Sequence, residues 1–265
     1  MNLGPLADLG VVPGCRVGLC ALGLEGEPAG KSFGVREDEA FRSASLIKLF
    51  VLAALLAEVE GGVASLEESL RVRAEDLVAY SPEVSTPGVF TVGGLAWAMI
   101  TTSDNTAANV LIRRLGVDAV NHLARSLGLR HTVLARKMMD VRAAGRGEEN
   151  LTSPRDVVGL LSAVWRGDLL SGRHRRLFLE MLRRQRIEPP LPVWLPDGAM
   201  LAHKTGDLEG MAGDAGFVIL PGHAYALCVI AEGDPGAARE PVRSATDVLA
   251  RAFCLPLVRS GTRML

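Results

Sequence analysis

The stretch from Ser43 to Ala57, Ser-Ala-Ser-Leu-Ile-Lys-Leu-Phe-Val-Leu-Ala-Ala-Leu-Leu-Ala, limits what this chain can fold into more than any other. After Lys48 it is apolar on every side, so as a helix it must be enclosed on all faces rather than half-exposed. It is too short to span a bilayer. Lys48 is the only charge between Arg42 and Glu58. An ammonium carried on such a helix is expensive to keep protonated, and burial pushes its pKa down. Ser45 lies three residues earlier, one turn away on the same helical face. A lysine near neutrality beside a serine hydroxyl at a helix N-terminus can act as base to a nucleophile. By itself the pair is better read as a snorkelling lysine and a capping serine. The rest of the chain has to decide.

The flanking sequence changes character twice. Residues 16–24 read as a strand, and a second short strand follows around 31–35 after a Gly- and Pro-bearing turn. Gly30-Lys31-Ser32 resembles the tail of a phosphate-binding loop, but Glu25 stands where that pattern needs glycine, and a hairpin turn suffices. The apolar helix is predicted over about 43–60 and is stopped by Gly61-Gly62. Residues 71–88, with Pro82 and Pro87, read mainly as loop. Helices are predicted at 92–100, 107–115, 117–127 and 155–165, the last opened by Thr152-Ser153-Pro154. Residues 131–150 show no period and are long for a bare loop, which marks them as functional. Residues 173–186 carry six arginines among apolar residues at helical spacing, an amphipathic helix with a solvated basic face. Short apolar runs at 199–205, 214–220 and 224–232 read as three hairpin-joined strands, and 245–258 as a closing helix.

Strands at both ends and helices between them predict an α+β fold. One antiparallel sheet would form from both termini, flanked by helices, with an all-helical subdomain inserted. The expected division is 1–42 with 188–265 for the sheet part and 43–187 for the helical part, with a site in the cleft between them. At 265 residues and 48% apolar content a sizeable core is available. Net charge of −1 and 5% aromatics argue against a nucleic-acid surface. No segment reads as transmembrane. The four cysteines, Cys15, Cys20, Cys228 and Cys254, form no CxxC pair and read as buried free thiols, and the five histidines form no ligand pair, so no metal or cofactor is expected. The N-terminus lacks a secretory pattern. It implies a cytoplasmic protein if native, and a periplasmic or secreted one if it is a trimmed mature form.

Two further motifs give the serine–lysine pair its meaning. Ser103-Asp104-Asn105 sits between predicted helices and, alone, would be a helix cap. Lys204-Thr205-Gly206 ends a predicted strand and, alone, says almost nothing. SxxK, SDN and KTG in this order, on helix, interhelix loop and strand, are the signature set of class A β-lactamases and penicillin-binding proteins.

On those motifs the chain resembles the class A serine β-lactamases over most of its length. Phe41 to Lys48 is similar to the start of the nucleophile helix, and Leu77 to Pro82 to the segment bearing an aromatic gatepost, here Tyr80. Met99 to Asn109 is almost a family consensus. The resemblance implies that Ser45 attacks a β-lactam carbonyl, that Lys48 takes or shuttles its proton, and that Ser103 passes a proton to the leaving nitrogen. It also implies that Asn105 holds Lys48 and the substrate amide, that Lys204 keeps the site positive and that Thr205 bonds the substrate carboxylate. The backbone N–H groups of Ser45 and of a residue near Asp207 would form the oxyanion hole. The implied partner is a small β-lactam or related acyl substrate met by a monomer, without nucleic acid or membrane.

The sequence departs from the family twice. The deacylating glutamate of the family falls at Met138, leaving Asp140 as the nearest carboxylate and the expected base, with Glu148 and Glu149 further along. The family's arginine shortly after KTG has no counterpart between Asp207 and Phe217. The readings that follow are a β-lactamase, a related serine esterase or D-amino-acid peptidase or a penicillin-binding protein that acylates but deacylates slowly, and a non-catalytic binder.

Overall fold

The computed structural model describes residues 14–26, 28–187, 198–234 and 238–242. Five strands form one antiparallel sheet in the order β2-β1-β9-β8-β7: β1 (Cys15–Glu25), β2 (Ser32–Val35), β7 (Met200–Leu208), β8 (Met211–Leu220) and β9 (His223–Gly233). Both chain ends therefore meet in one sheet, with β1 beside β9 and Cys20 directly opposite Cys228. The sheet is covered on both sides. Cys20, Ala202, Ala215, Phe217, Cys228 and Ile230 join the main core, while Val17, Leu19, Ala212, Val218, Tyr225 and Val229 join a second core that also holds Ala238 and Val242. Two buried faces explain why these strands read as continuous apolar runs rather than as an alternation. The closing helix expected at 245–258 lies outside the described residues. Among the described cysteines, Cys20 and Cys228 are buried free thiols and Cys15 is a half-buried one.

The helices lie between β2 and β7. A short β3 (Phe41–Arg42) leads into a 3-10 turn, Ala44–Leu46, and then α1 (Ile47–Glu60). Every α1 residue from Ile47 to Leu56 is buried, as its all-round apolarity requires. The helix thus starts later than its sequence suggests, because its first turn is the tighter 3-10 form. The segment expected to be mainly loop carries strand at each end, β4 (Ser69–Val72) pairing with β5 (Gly88–Thr91). Neither strand alternates cleanly enough to stand out from sequence. Then follow α2 (Val92–Thr101), α3 (Asn105–Leu115), α4 (Val117–Ser126), the one-turn α5 (Val141–Gly145), β6 (Leu151–Thr152, paired with β3), α6 (Pro154–Arg166) and α7 (Gly172–Arg183). Helix α6 packs on β1, β8 and β9, and α7 on β7, α1 and α2. Trp165 meets Phe217 at 5.6 Å between ring centroids. Several α7 arginines are tied up locally: Arg183 and Arg184 pair with Glu180, and Arg175 donates to the Trp165 carbonyl. Among the described residues no helix is long and apolar enough to cross a membrane.

Candidate active site

A cleft of about 1260 Å³ opens where the 3-10 turn, the α2–α3 turn, residues 80–82, residues 136–150 and strand β7 converge. The 3-10 turn presents Ser45, half-buried, on the cleft wall. Strand β7 passes close against that turn at Gly206, where a side chain would be crowded. A Cβ there would lie 3.1 Å from Leu46 Cγ and 3.3 Å from both Ala44 Cβ and the Ser43 carbonyl oxygen.

Lys48, one turn after Ser45, is completely buried. Its Nζ donates to the Ser103 carbonyl at 2.6 Å, to Asn105 Oδ1 at 2.7 Å and to Ser103 Oγ at 3.1 Å. Burial pushes its pKa well below the ordinary lysine value. The neighbouring Lys204 charge pushes the same way and Asp104 pulls weakly back. Lys204 is equally buried. Its Nζ reaches the same Ser103 Oγ at 3.0 Å and the Thr205 carbonyl at 2.8 Å. Burial lowers its pKa to about 7, against the raising influence of Asp214. One hydroxyl thus stands between two buried amines whose proton affinities are both depressed.

The α2–α3 turn owes its shape to local strain and capping. Ser103 adopts φ +56°, a left-handed conformation costly for a residue with a Cβ. Asp104 repays it twice: Oδ1 caps α3 by accepting from Ala107 N at 2.8 Å, and Oδ2 accepts from Glu83 N and Val84 N at 3.0 and 2.9 Å. Asn105 Nδ2 donates to the Ala79 carbonyl, and Ser81 Oγ accepts from Thr106 N. The 79–84 segment is therefore laced to the turn. Tyr80, also at positive φ, stands 79% exposed on the cleft rim.

The 131–150 segment is held by two asparagines that sequence reasoning did not single out for this task. Asn109 on α3 clasps the backbone of Met138, accepting from its N–H at 2.7 Å and donating to its carbonyl at 3.0 Å. Asn150 does the same across the loop's neck, accepting from Ala135 N and Arg136 N and donating to the Arg136 carbonyl. Arg136 pairs with Glu149 at 2.9 Å. Met138 is 7% exposed and lines the cleft with Met139.

Of the residues expected from sequence, Ser45, Tyr80, Ser103, Asn105, Thr205 and Asp207 line the cleft, and Lys48 and Lys204 lie beneath it, bonded to Ser103. Asp140 is placed elsewhere. Its Oδ1 caps α5 by accepting from Ala143 N at 2.9 Å, and the residue is not among those lining the cleft. Moving a carboxylate two residues along a loop whose backbone is pinned at Met138 turns it into a helix cap. Among the described residues the cleft-lining carboxylates are Glu149, Asp207, Glu209 and Glu240. Asp207 pairs with Arg239, which also lines the cleft. A cation absent from 207–217 is thus brought in from the far end of the chain, which sequence spacing could not foretell.

The described residues thus combine a sheet of early and late strands, an inserted set of helices and a serine hydroxyl between two buried lysines. Comparison with known proteins narrows this. The profile of the β-lactamase enzyme family matches residues 12–253, and the chain belongs to that family. The β-lactamase AER-1 of Aeromonas hydrophila is 36% identical over 183 residues, 67% of this chain and 60% of that protein's own length. The solved structure of PBP-A superposes with a TM-score of 0.86 at 31% identity, covering 96% of each chain, and a variant of it has been solved as an acyl-enzyme complex with penicillin G. An ancestral class A β-lactamase superposes at 0.83 with 29% identity over 94% of this chain and 99% of that one.

Proposed function

We propose that this protein is a serine β-lactamase that opens β-lactams through an acyl-enzyme on Ser45. The observation that carries the reading is the Ser103 hydroxyl, held at 3.1 and 3.0 Å by the amines of Lys48 and Lys204 beside the Ser45 turn. Lys48, whose proton affinity is lowered by burial, takes or shuttles the Ser45 Oγ proton as that oxygen attacks the lactam carbonyl. The tetrahedral oxyanion is stabilised by the backbone N–H groups of Ser45 and Asp207. Ser103 donates its proton to the departing lactam nitrogen and is resupplied from Lys48. Lys204 and Thr205 hold the substrate carboxylate, with Arg239 adding positive charge on the rim. Asn105 takes the side-chain amide and Tyr80 closes the outer edge.

The second half-reaction sets the character of the enzyme. Met138 occupies the clasped position facing the cleft, Asp140 caps a helix and Glu149 is paired with Arg136. Water therefore meets a thioether rather than a carboxylate at the clasped position, and deacylation is the slow step. This favours, as a second reading, a penicillin-binding protein that acylates and stalls.

The test is intact-protein and peptide mass spectrometry after incubation with penicillin G, alongside turnover of a chromogenic cephalosporin and an activated ester. An adduct on Ser45 with slow release is expected. Folded protein that gains no mass on Ser45 would refute the assignment. Ester turnover without any lactam adduct would point to an esterase.

A further inference from the structure

The proposed chemistry uses only the backbone of Asp207 and leaves its carboxylate without a role. Among the described residues β7 is an edge strand of the sheet, and Thr205, Gly206 and Asp207 near its end line the cleft. A side chain at Gly206 would point into the nucleophile turn, towards Leu46 and Ala44. Side chains alternate along a strand, so Thr205 and Asp207 share the other face of β7. Two strand positions separate them, about 7 Å. Thr205 is the residue that bonds the substrate carboxylate in the proposed chemistry. A donor bound there brings its negative charge beside that of Asp207.

The Asp207 carboxylate accepts from the Arg239 guanidinium, and Arg239 lines the cleft as well. The segment that carries Arg239 is seated by Ala238 and Val242, which pack into the second core. The two side chains are 76% and 50% exposed, for Arg239 and Asp207 respectively. An ion pair so open to water is weak, and another anion can take the guanidinium over. The other cations of the site are engaged differently. Arg136, which also lines the cleft, pairs with Glu149 at 2.9 Å. Lys48 and Lys204 are fully buried and bonded to Ser103. Arg239 is thus the exposed cation next to the Thr205 end of the cleft, and Asp207 is the anion that holds it.

We propose that the Asp207 side chain sets substrate preference: it is an internal carboxylate that occupies Arg239 and competes with the carboxylate of an incoming acyl donor. An anionic donor has to displace Asp207 from the guanidinium and then lie next to it. An uncharged donor of the same shape does neither. The site therefore discriminates against anionic acyl donors through a built-in repulsive group, the usual way of rejecting one ligand without tightening on another. The backbone N–H of Asp207, which its side chain does not alter, serves both kinds of donor alike. The inference rests on the reading of Ser45 as the acylated nucleophile and of Thr205 as the carboxylate's partner.

The test compares penicillin G with its methyl ester, which keeps the lactam and the side chain and removes the charge. The rate of Ser45 acylation by each is followed by mass spectrometry at pH 7.5, with the fold of every variant checked by circular dichroism. Asp207→Asn should raise acylation by the acid about fivefold or more and change acylation by the methyl ester less than about twofold. Asp207→Glu, which keeps the negative charge, should leave the acid-to-ester ratio within about twofold of the wild type. Arg239→Gln, which strips the guanidinium from Asp207, should lower the acid rate about fivefold and spare the ester. Acid and ester rates that rise or fall together in Asp207→Asn, or that do not move, overturn the proposal. A ratio shifted as far by Asp207→Glu as by Asp207→Asn overturns it too, because shape and not charge then decides. Folded protein that forms no Ser45 adduct with either compound, in any variant, refutes the functional reading and this inference with it. Adducts that form while the ratio ignores residue 207 refute the inference alone.

Discussion

Replacing Met138 with glutamate is the most informative perturbation of this protein. The position is defined by two hydrogen bonds from Asn109, at 2.7 and 3.0 Å, so its backbone has little room to drift when the side chain changes. The side chain faces the cleft and is 7% exposed. Methionine and glutamate are similar in length, so the substitution adds no overpacking, and a carboxylate replaces an apolar thioether beside the acylated Ser45 turn. A well-placed general base contributes about 10²–10⁴-fold to such a step, or roughly 3–5 kcal/mol at the transition state. Partial burial raises the new carboxyl's proton affinity, and the buried lysines nearby oppose that effect, so the group should remain a competent base near neutral pH. The assay is the lifetime of the penicillin G acyl-enzyme by time-resolved mass spectrometry, with Met138→Gln as the isosteric control. Deacylation is expected to accelerate at least about 100-fold in Met138→Glu and to stay within about threefold in Met138→Gln, with acylation little changed. A folded Met138→Glu protein whose acyl-enzyme lives as long as the wild type's would show that the clasp does not aim this side chain at the acyl carbonyl. Equal acceleration by glutamine would show that loosened packing, not a base, limits the wild type.

Three further outcomes follow from the same geometry. Asn109→Ala should cost about 2–4 kcal/mol in urea unfolding, because two buried backbone groups of Met138 lose their partner, and amide exchange should rise across 135–141 while β8 and β9 stay protected. Gly206→Ala places a Cβ 3.1 Å from Leu46 Cγ and 3.3 Å from Ala44 Cβ and the Ser43 oxygen. Separation of β7 from the nucleophile turn should lower Ser45 acylation by about tenfold or more, whereas Gly61→Ala, whose Cβ would meet nothing nearer than the Ala57 carbonyl oxygen at 3.4 Å, should leave acylation unchanged. Lys204 has a folded pKa of about 7 against 10.5 for a free lysine. Its ionisation therefore disfavours the folded state at low pH, and that penalty is relieved as pH rises from about 7 towards 10.5, since the unfolded chain then holds the proton the folded one has lost. The urea midpoint of the wild type should gain on that of Lys204→Met across this window; a constant difference would contradict the buried, depressed lysine.

How much of this was legible from the residues depends on how local each feature is. The all-round apolar run after Lys48 announced a helix at the centre of the core, and Ile47 to Leu56 are buried. The three-residue spacing of Ser45 and Lys48 announced one face, and the capping residues at 101–106 announced a helix start, although not the left-handed φ of Ser103. The 69–72 and 88–91 strands went unseen because their pairing depends on each other rather than on any internal pattern. Asp140 was expected in the cleft because proximity in sequence stood in for direction in space. The clasp from Asn109 shows that direction is set by a helix some thirty residues earlier.

The sequence alone determined the inventory: a buried helix bearing one lysine, an SDN turn, a KTG strand, and strands at both ends that could satisfy one another's hydrogen bonds. Those follow from periodicity, capping chemistry and the cost of leaving apolar surface or backbone groups unpaired. Only the tertiary structure decided that Lys48 and Lys204 share the hydroxyl of Ser103, that Arg239 returns to the cleft from late in the chain, and that Met138 lines it while Asp140 caps a helix. The reason is that charge, desolvation and reach depend on distances between residues far apart in the chain, and these exist only once the sheet has closed over the helix.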